Sequence, residues 1–96
     1  MTLNEFRSSI DQPTPPEDMS FALRTLWWDA KGDWHRAHAC AQQDRTQTGS
    51  SVHAYLHRKE GDMANAAGWY GRSGRAQPTG ALEDEWEMLA RQLLAG

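Results

Sequence analysis

Three of the four histidines in this 96-residue chain are placed where imidazoles can act together. His53 and His57 are four residues apart, so on a helix they share one face, a geometry in which two ring nitrogens can chelate a transition metal. His38 lies on the stripe formed by Trp34, Ala37, His38 and Ala41, the inward side of an amphipathic helix. A third imidazole would complete an open three-nitrogen site, the arrangement zinc takes when one position is left for water or substrate. Asp29 or Asp33 could orient such a site as a hydrogen-bonding carboxylate. The same residues have a plainer reading, in which neutral imidazoles bond to carbonyls or carboxylates and specify how helices pack. No glutamate sits between His53 and His57 as it does on a metalloprotease helix, and no residue is assigned a catalytic role.

A second group of residues suits recognition. Trp27 and Trp28 are neighbours, about 100° apart around a helix, so one inward stripe cannot centre both and one of them falls at an edge. An edge tryptophan, together with Trp69 and Tyr70, can line a groove for a helix, a peptide or a second copy of the chain. Asn65 and Trp69 form an i, i+4 pair that sets an amide beside a ring. Filling gaps in a thin core is the competing role for each ring. Arg58, Arg72 and Arg75 suggest a small anion patch, although Gly71-Arg72-Ser73-Gly74 lacks the strand, lysine and spacing of a phosphate loop. Cys40, between two alanines, reads as small buried filler.

Composition sets the limits. Ten Lys and Arg against thirteen Asp and Glu leave a formal charge of −3, which supplies no net basic field for nucleic acid or an anionic membrane. Hydrophobic residues are 39% of the chain, mean hydropathy is −0.81, and five tryptophans concentrate the apolar area in a few large rings. One domain is expected over residues 14–96, preceded by an N-terminal arm over 1–13. A lone cysteine cannot form an internal disulfide, no apolar run approaches a membrane span of about 18 residues, and the first residues lack a secretory signal, so a cytoplasmic protein is expected.

These residues must be positioned by helices, because Ile10 and Val52 are the only Ile and Val and no segment alternates with period two. Thr14-Pro15-Pro16-Glu17 reads as a capped start for a helix over about 15–31, with Met19, Ala22, Leu23, Leu26 and Ala30 on one face. Asp33 caps a second helix ending near Gln43. Asp44 to Ser51 has no apolar residue and reads as an exposed connection. Val52, Tyr55, Leu56 and Lys59 mark a third helix, stopped at Glu60-Gly61. Asp62 caps a fourth, broken by Gly71, Gly74, Pro78 and Gly80. Leu82, Trp86, Leu89 and Leu93 define a last helix over 81–95, with Glu83, Asp84 and Glu85 at its dipole-favoured end. Leu3, Phe6 and Ile10 allow a docking turn, a short helix or a frayed end.

Two corners repeat. Lys31-Gly32-Asp33-Trp34-His35-Arg36-Ala37 and Glu60-Gly61-Asp62-Met63-Ala64-Asn65-Ala66 align without a gap, sharing Gly for the turn, Asp for the cap and Ala for close approach. The pattern resembles a tetratricopeptide-repeat corner, with Tyr70 and Pro78 at the later aromatic and proline positions. It departs in its 29-residue separation, where that repeat has about 34, and in Ala41 at the first aromatic position. The segments Trp27 to Trp34 and His53 to Asp62 also resemble a family of short bacterial helical proteins, which implies a cytosolic helical domain and no particular reaction. Carried onto this chain, the repeat register implies that His53 and His57 face the core and that His38 packs toward them. The fold expected is all-α: two stacked tetratricopeptide-like hairpins and a C-terminal capping helix, which must cover what two repeats leave open unless a second chain does so. The expected role is a binding or assembly module rather than an enzyme, recognising a protein or peptide or self-associating, with no nucleic-acid or membrane partner and no cofactor. The alternative is a zinc or other metal site built from His38, His53 and His57.

Overall fold

Side-chain caps, more than apolar periodicity, decide where the helices begin. The computed structural model describes residues 1–96 and holds six helices and no strand: α1 (Leu3–Ser9), α2 (Phe21–Ala30), α3 (Trp34–Gln43), α4 (Gln47–Glu60), α5 (Met63–Ser73) and α6 (Leu82–Ala95). Helix α1 starts in a capping box, with the Glu5 amide donating to Thr2 Oγ1 at 3.1 Å and the Thr2 amide to Glu5 Oε1 at 2.8 Å. Its Phe6 is fully buried and stacks on Trp86 at 5.7 Å, so α1 docks on the core through that ring.

Helix α2 begins at a different place from the one the prolines suggest. Thr14 and Pro15 each precede a proline, which disfavours helical backbone there. The effective cap is Ser20, whose Oγ accepts from the Leu23 amide at 3.2 Å. Helix α4 likewise starts earlier than the polar run 44–51 implies. Thr46 caps it, Asp44 accepts from the Thr46 amide and hydroxyl, and Gly49 lies so close to Asp44 that an added Cβ would sit 2.2 Å from the Asp44 carbonyl oxygen. Helix α5 continues through Gly71, since one glycine costs a helix only about 1 kcal/mol, and stops at Gly74 in the left-handed conformation.

The two Gly-Asp corners have matching geometry. Gly32 and Gly61 both have φ of +86°, and the Asp33 and Asp62 amides reach back to the carbonyls of Trp28 and His57, the same five-residue step. Ala37 and Ala66, the small residues of each corner, are fully buried. Helix α3 packs beside α2, α5 beside α4, and α6 lies against both α2 and α4.

Helix α4 is the centre. All seven residues from Ser51 to His57 are buried, with Val52 and Leu56 joining Leu26, Trp27, Trp86 and Leu89 in the main core. A helix with so many polar residues can be enclosed only if each finds a partner. Tyr55 donates to Asp29 of α2 at 2.7 Å, and Lys59 to the other oxygen of Asp29 at 2.8 Å. Arg58 pairs with the buried Glu85 of α6 at 2.9 Å, and Tyr70 of α5 donates to Glu85 at 2.7 Å. His53 and His57 complete the set. Polar contacts thus tie α4 to α2, α3 and α6, while α5 meets it through the stack of Trp69 on His53.

Candidate metal centre

His53 and His57 project from adjacent turns of α4 with rings nearly parallel, centroids 5.1 Å apart and planes at 16°. His38 enters from α3, edge-on to both, at 4.6 Å from His53 and 5.3 Å from His57. Its Nε2 lies 2.8 Å from His53 Nε2, so one of the two nitrogens carries the proton and the other accepts it. One ring nitrogen from each of the three residues lies within 4.8 Å of the other two.

The surroundings hold the rings in place. Trp34, one helical turn before His38, stacks on it at 4.8 Å and 10°, while its indole N–H donates to the Leu56 carbonyl at 3.1 Å. Trp69 of α5 stacks on His53 at 3.9 Å and 12°, and the Arg72 guanidinium lies 4.7 Å over the same indole. His57 Nδ1 meets Glu60 Oε1 at 2.7 Å. A carboxylate on Nδ1 fixes that proton there and leaves Nε2 as a lone pair, the tautomer a metal ligand requires.

At His53 and His38 the surroundings favour the neutral ring. Burial, followed by the charges of His38, His57 and Arg72, pushes the His53 pKa down to about 4. Burial, followed by the His57 charge, also lowers His38. Neutral imidazole is the form that binds metal, so at pH 7 little proton competition stands in the way at these two positions. The donor set is also right in kind: three imidazoles suit zinc, copper, iron or nickel, and zinc with three protein ligands keeps a fourth position open. Two nitrogens on one tetrahedral zinc lie about 3.3 Å apart. The 2.8 Å His38–His53 contact would have to open by about half an ångström, a change within the reach of small side-chain torsions.

The expected carboxylates lie elsewhere. Asp29 is held by Tyr55 and Lys59, and Asp33 caps α3 through the Arg36 amide. Glu60 takes the orienting role, a residue found three places after His57 and so legible from helical spacing. Trp34, four before His38, was equally legible as a ring neighbour.

The residues suggested for recognition disperse. Trp27 is fully buried with its N–H on Ser9 Oγ at 3.1 Å, and Tyr70 is buried on Glu85, so neither can line an open groove. Trp28 is the edge ring of the pair, half-buried under Arg36. Asn65 is exposed and bonds to Asp62, while Trp69 is drawn into the histidine group. The arginines also separate: Arg58 is bound to Glu85, and Arg75 to Gln92 and the Met88 sulfur. Cys40 is half-buried, and burial raises its thiol pKa, which keeps it protonated and unreactive. No helix is long and apolar enough to cross a membrane. Comparison of the chain with protein-family models, with curated proteins and with solved structures finds no match.

Proposed function

We propose that this protein binds a divalent transition metal, zinc in the first instance, through His38, His53 and His57, with Glu60 orienting His57. The observation that supports the reading is the convergence of three ring nitrogens from two helices within 4.8 Å, two of them on residues whose pKa burial has lowered. Two Nε2 atoms face each other across 2.8 Å and share a single proton, so the same two nitrogens can take one metal ion in exchange for that proton. The bound ion would cross-link α3 to α4 and so add to the stability of the folded chain by mass action. No reaction is assigned to it.

On this reading the two Gly-Asp corners serve as tetratricopeptide-like scaffolding for the metal centre. Of the recognition residues it leaves the half-buried Trp28 and Trp69 as aromatic edges, since Trp27 and Tyr70 are enclosed.

Isothermal titration of zinc into chelator-stripped protein tests it. One zinc per chain is expected, with affinity falling at least tenfold in His38→Asn and His53→Asn and unchanged in Cys40→Ser, each variant first shown to be helical by circular dichroism. No saturable binding, or binding that both histidine variants leave intact, would remove the proposal.

A further inference from the structure

Beside His53, on the side of Trp69, the surface forms a polar cavity of about 370 Å³ between the α3–α4 connection and α5. Its lining includes Arg45, Arg72, Gln42, Ser50, His53 and Trp69. The charge balance there is unlike that of the whole protein. Six of the eight arginines have a hydrogen bond or ion pair: Arg7 with Glu87, Arg24 with the Glu17 carbonyl, Arg36 with Asp33, Arg58 with Glu85, Arg75 with Gln92 and Arg91 with Glu87. Arg45 and Arg72 have none, and both line this one cavity. The one carboxylate in the lining, Asp44, is engaged: its Oδ1 accepts from the Thr46 amide at 2.9 Å and from the Thr46 hydroxyl at 2.5 Å, and its Oδ2 from Thr48 at 3.4 Å.

We infer that this cavity binds a small oxyanion, a phosphoryl or carboxylate group held between the Arg45 and Arg72 guanidinium groups. A guanidinium offers a fork of N–H donors matched to two oxygens of such a group, and two forks beside one cavity make a recognition element rather than a diffuse charge. Arg72 is pre-positioned by its seat over Trp69, so less side-chain freedom is lost on binding. The Ser50 hydroxyl and the Gln42 amide add neutral donors. The Trp69 ring packs against His53 and Arg72, so the ligand is read through charge and hydrogen bonds rather than by stacking. At about 370 Å³ the cavity is near the small end of ligand sites, which fits a compact anion and not a nucleotide.

The inference does not rest on the metal, and its test is run without one. Chelator-stripped protein in a non-coordinating buffer is titrated separately with inorganic phosphate and with acetate, followed by amide and arginine side-chain NMR shifts. Saturable shifts confined to residues around Arg45, Ser50 and Arg72 are expected with at least one anion. The two arms decide between phosphoryl and carboxylate. Arg45→Gln and Arg72→Gln should each weaken binding at least tenfold, whereas Arg91→Gln, which touches only Glu87, should not. Shifts that fail to saturate with both anions, or that are equally reduced by Arg91→Gln, would overturn the inference. A zinc titration that fails while phosphate binds would remove the metal centre and leave the anion site standing.

Discussion

Acid should begin to destabilise this protein through His53 before its carboxylates titrate. In the unfolded chain His53 regains the ordinary value of 6.5, while burial, with the neighbouring His38, His57 and Arg72 charges, holds it at about 4 in the fold. A depressed histidine pKa means that below 6.5 the unfolded state binds a proton that the native state refuses. Stability is therefore full above that pH and falls as pH drops toward the folded value. The slope for one group is about 1.4 kcal/mol per pH unit, so roughly 2 kcal/mol is lost between about pH 6.5 and pH 5. His38, also lowered, adds to the loss in the same direction, and the groups acting on the pair are His57, His35, Glu60 and Arg72. Urea denaturation of chelator-stripped protein at half-unit pH steps measures the slope, and His53→Asn should flatten it by about one proton's worth over this window while lowering stability at pH 7. An unchanged slope in that variant, or stability that is level from pH 6.5 to 5, would refute the argument that burial keeps His53 neutral.

Other perturbations report on the frame around the site. Gly49→Ala forces a methyl group against the Asp44 carbonyl and should cost about 1–3 kcal/mol by urea denaturation, with the α3–α4 connection showing the largest loss of hydrogen-exchange protection. Phe6→Ala should cost about 3–5 kcal/mol, as for a core residue; a change below 1 kcal/mol would mean that α1 is not docked. Glu85→Ala strands Arg58 and the Tyr70 hydroxyl and should cost about 3–5 kcal/mol, whereas Arg58→Met with Glu85→Leu and Tyr70→Phe should cost much less, because a buried ion pair is dear to break and cheap to replace.

The helical class, the last helix and both Gly-Asp corners were legible because each had a local cause: absent β-branched residues, a 3.6-residue period, or a capping Asp after a left-handed Gly. What escaped was set by contacts distant in sequence or by caps without apolar neighbours. Ser20 outcompeted Thr14 as the start of α2, since the prolines after Thr14 exclude helical backbone more strongly than they announce it. The start of α4 at Thr46 was hidden in a polar run, because its first turn depends on Asp44 and Gly49 rather than on burial of apolar side chains. Convergence of the histidines followed from spacing on α4 together with the repeat resemblance. Glu60 was within reach of the same spacing; what was hidden is that Asp29 is taken, because the Tyr55 and Lys59 groups that hold it lie 26 and 30 residues away. Arg45 carried no signal at all until the cavity brought it beside Arg72.

The metal centre is tested most directly by zinc-edge X-ray absorption of the zinc-loaded protein. Three imidazole nitrogens at about 2.0–2.1 Å are expected, falling to two in His53→Asn. A shell of oxygen ligands alone, or one containing sulfur from Cys40, would contradict the account and leave the three histidines as packing groups.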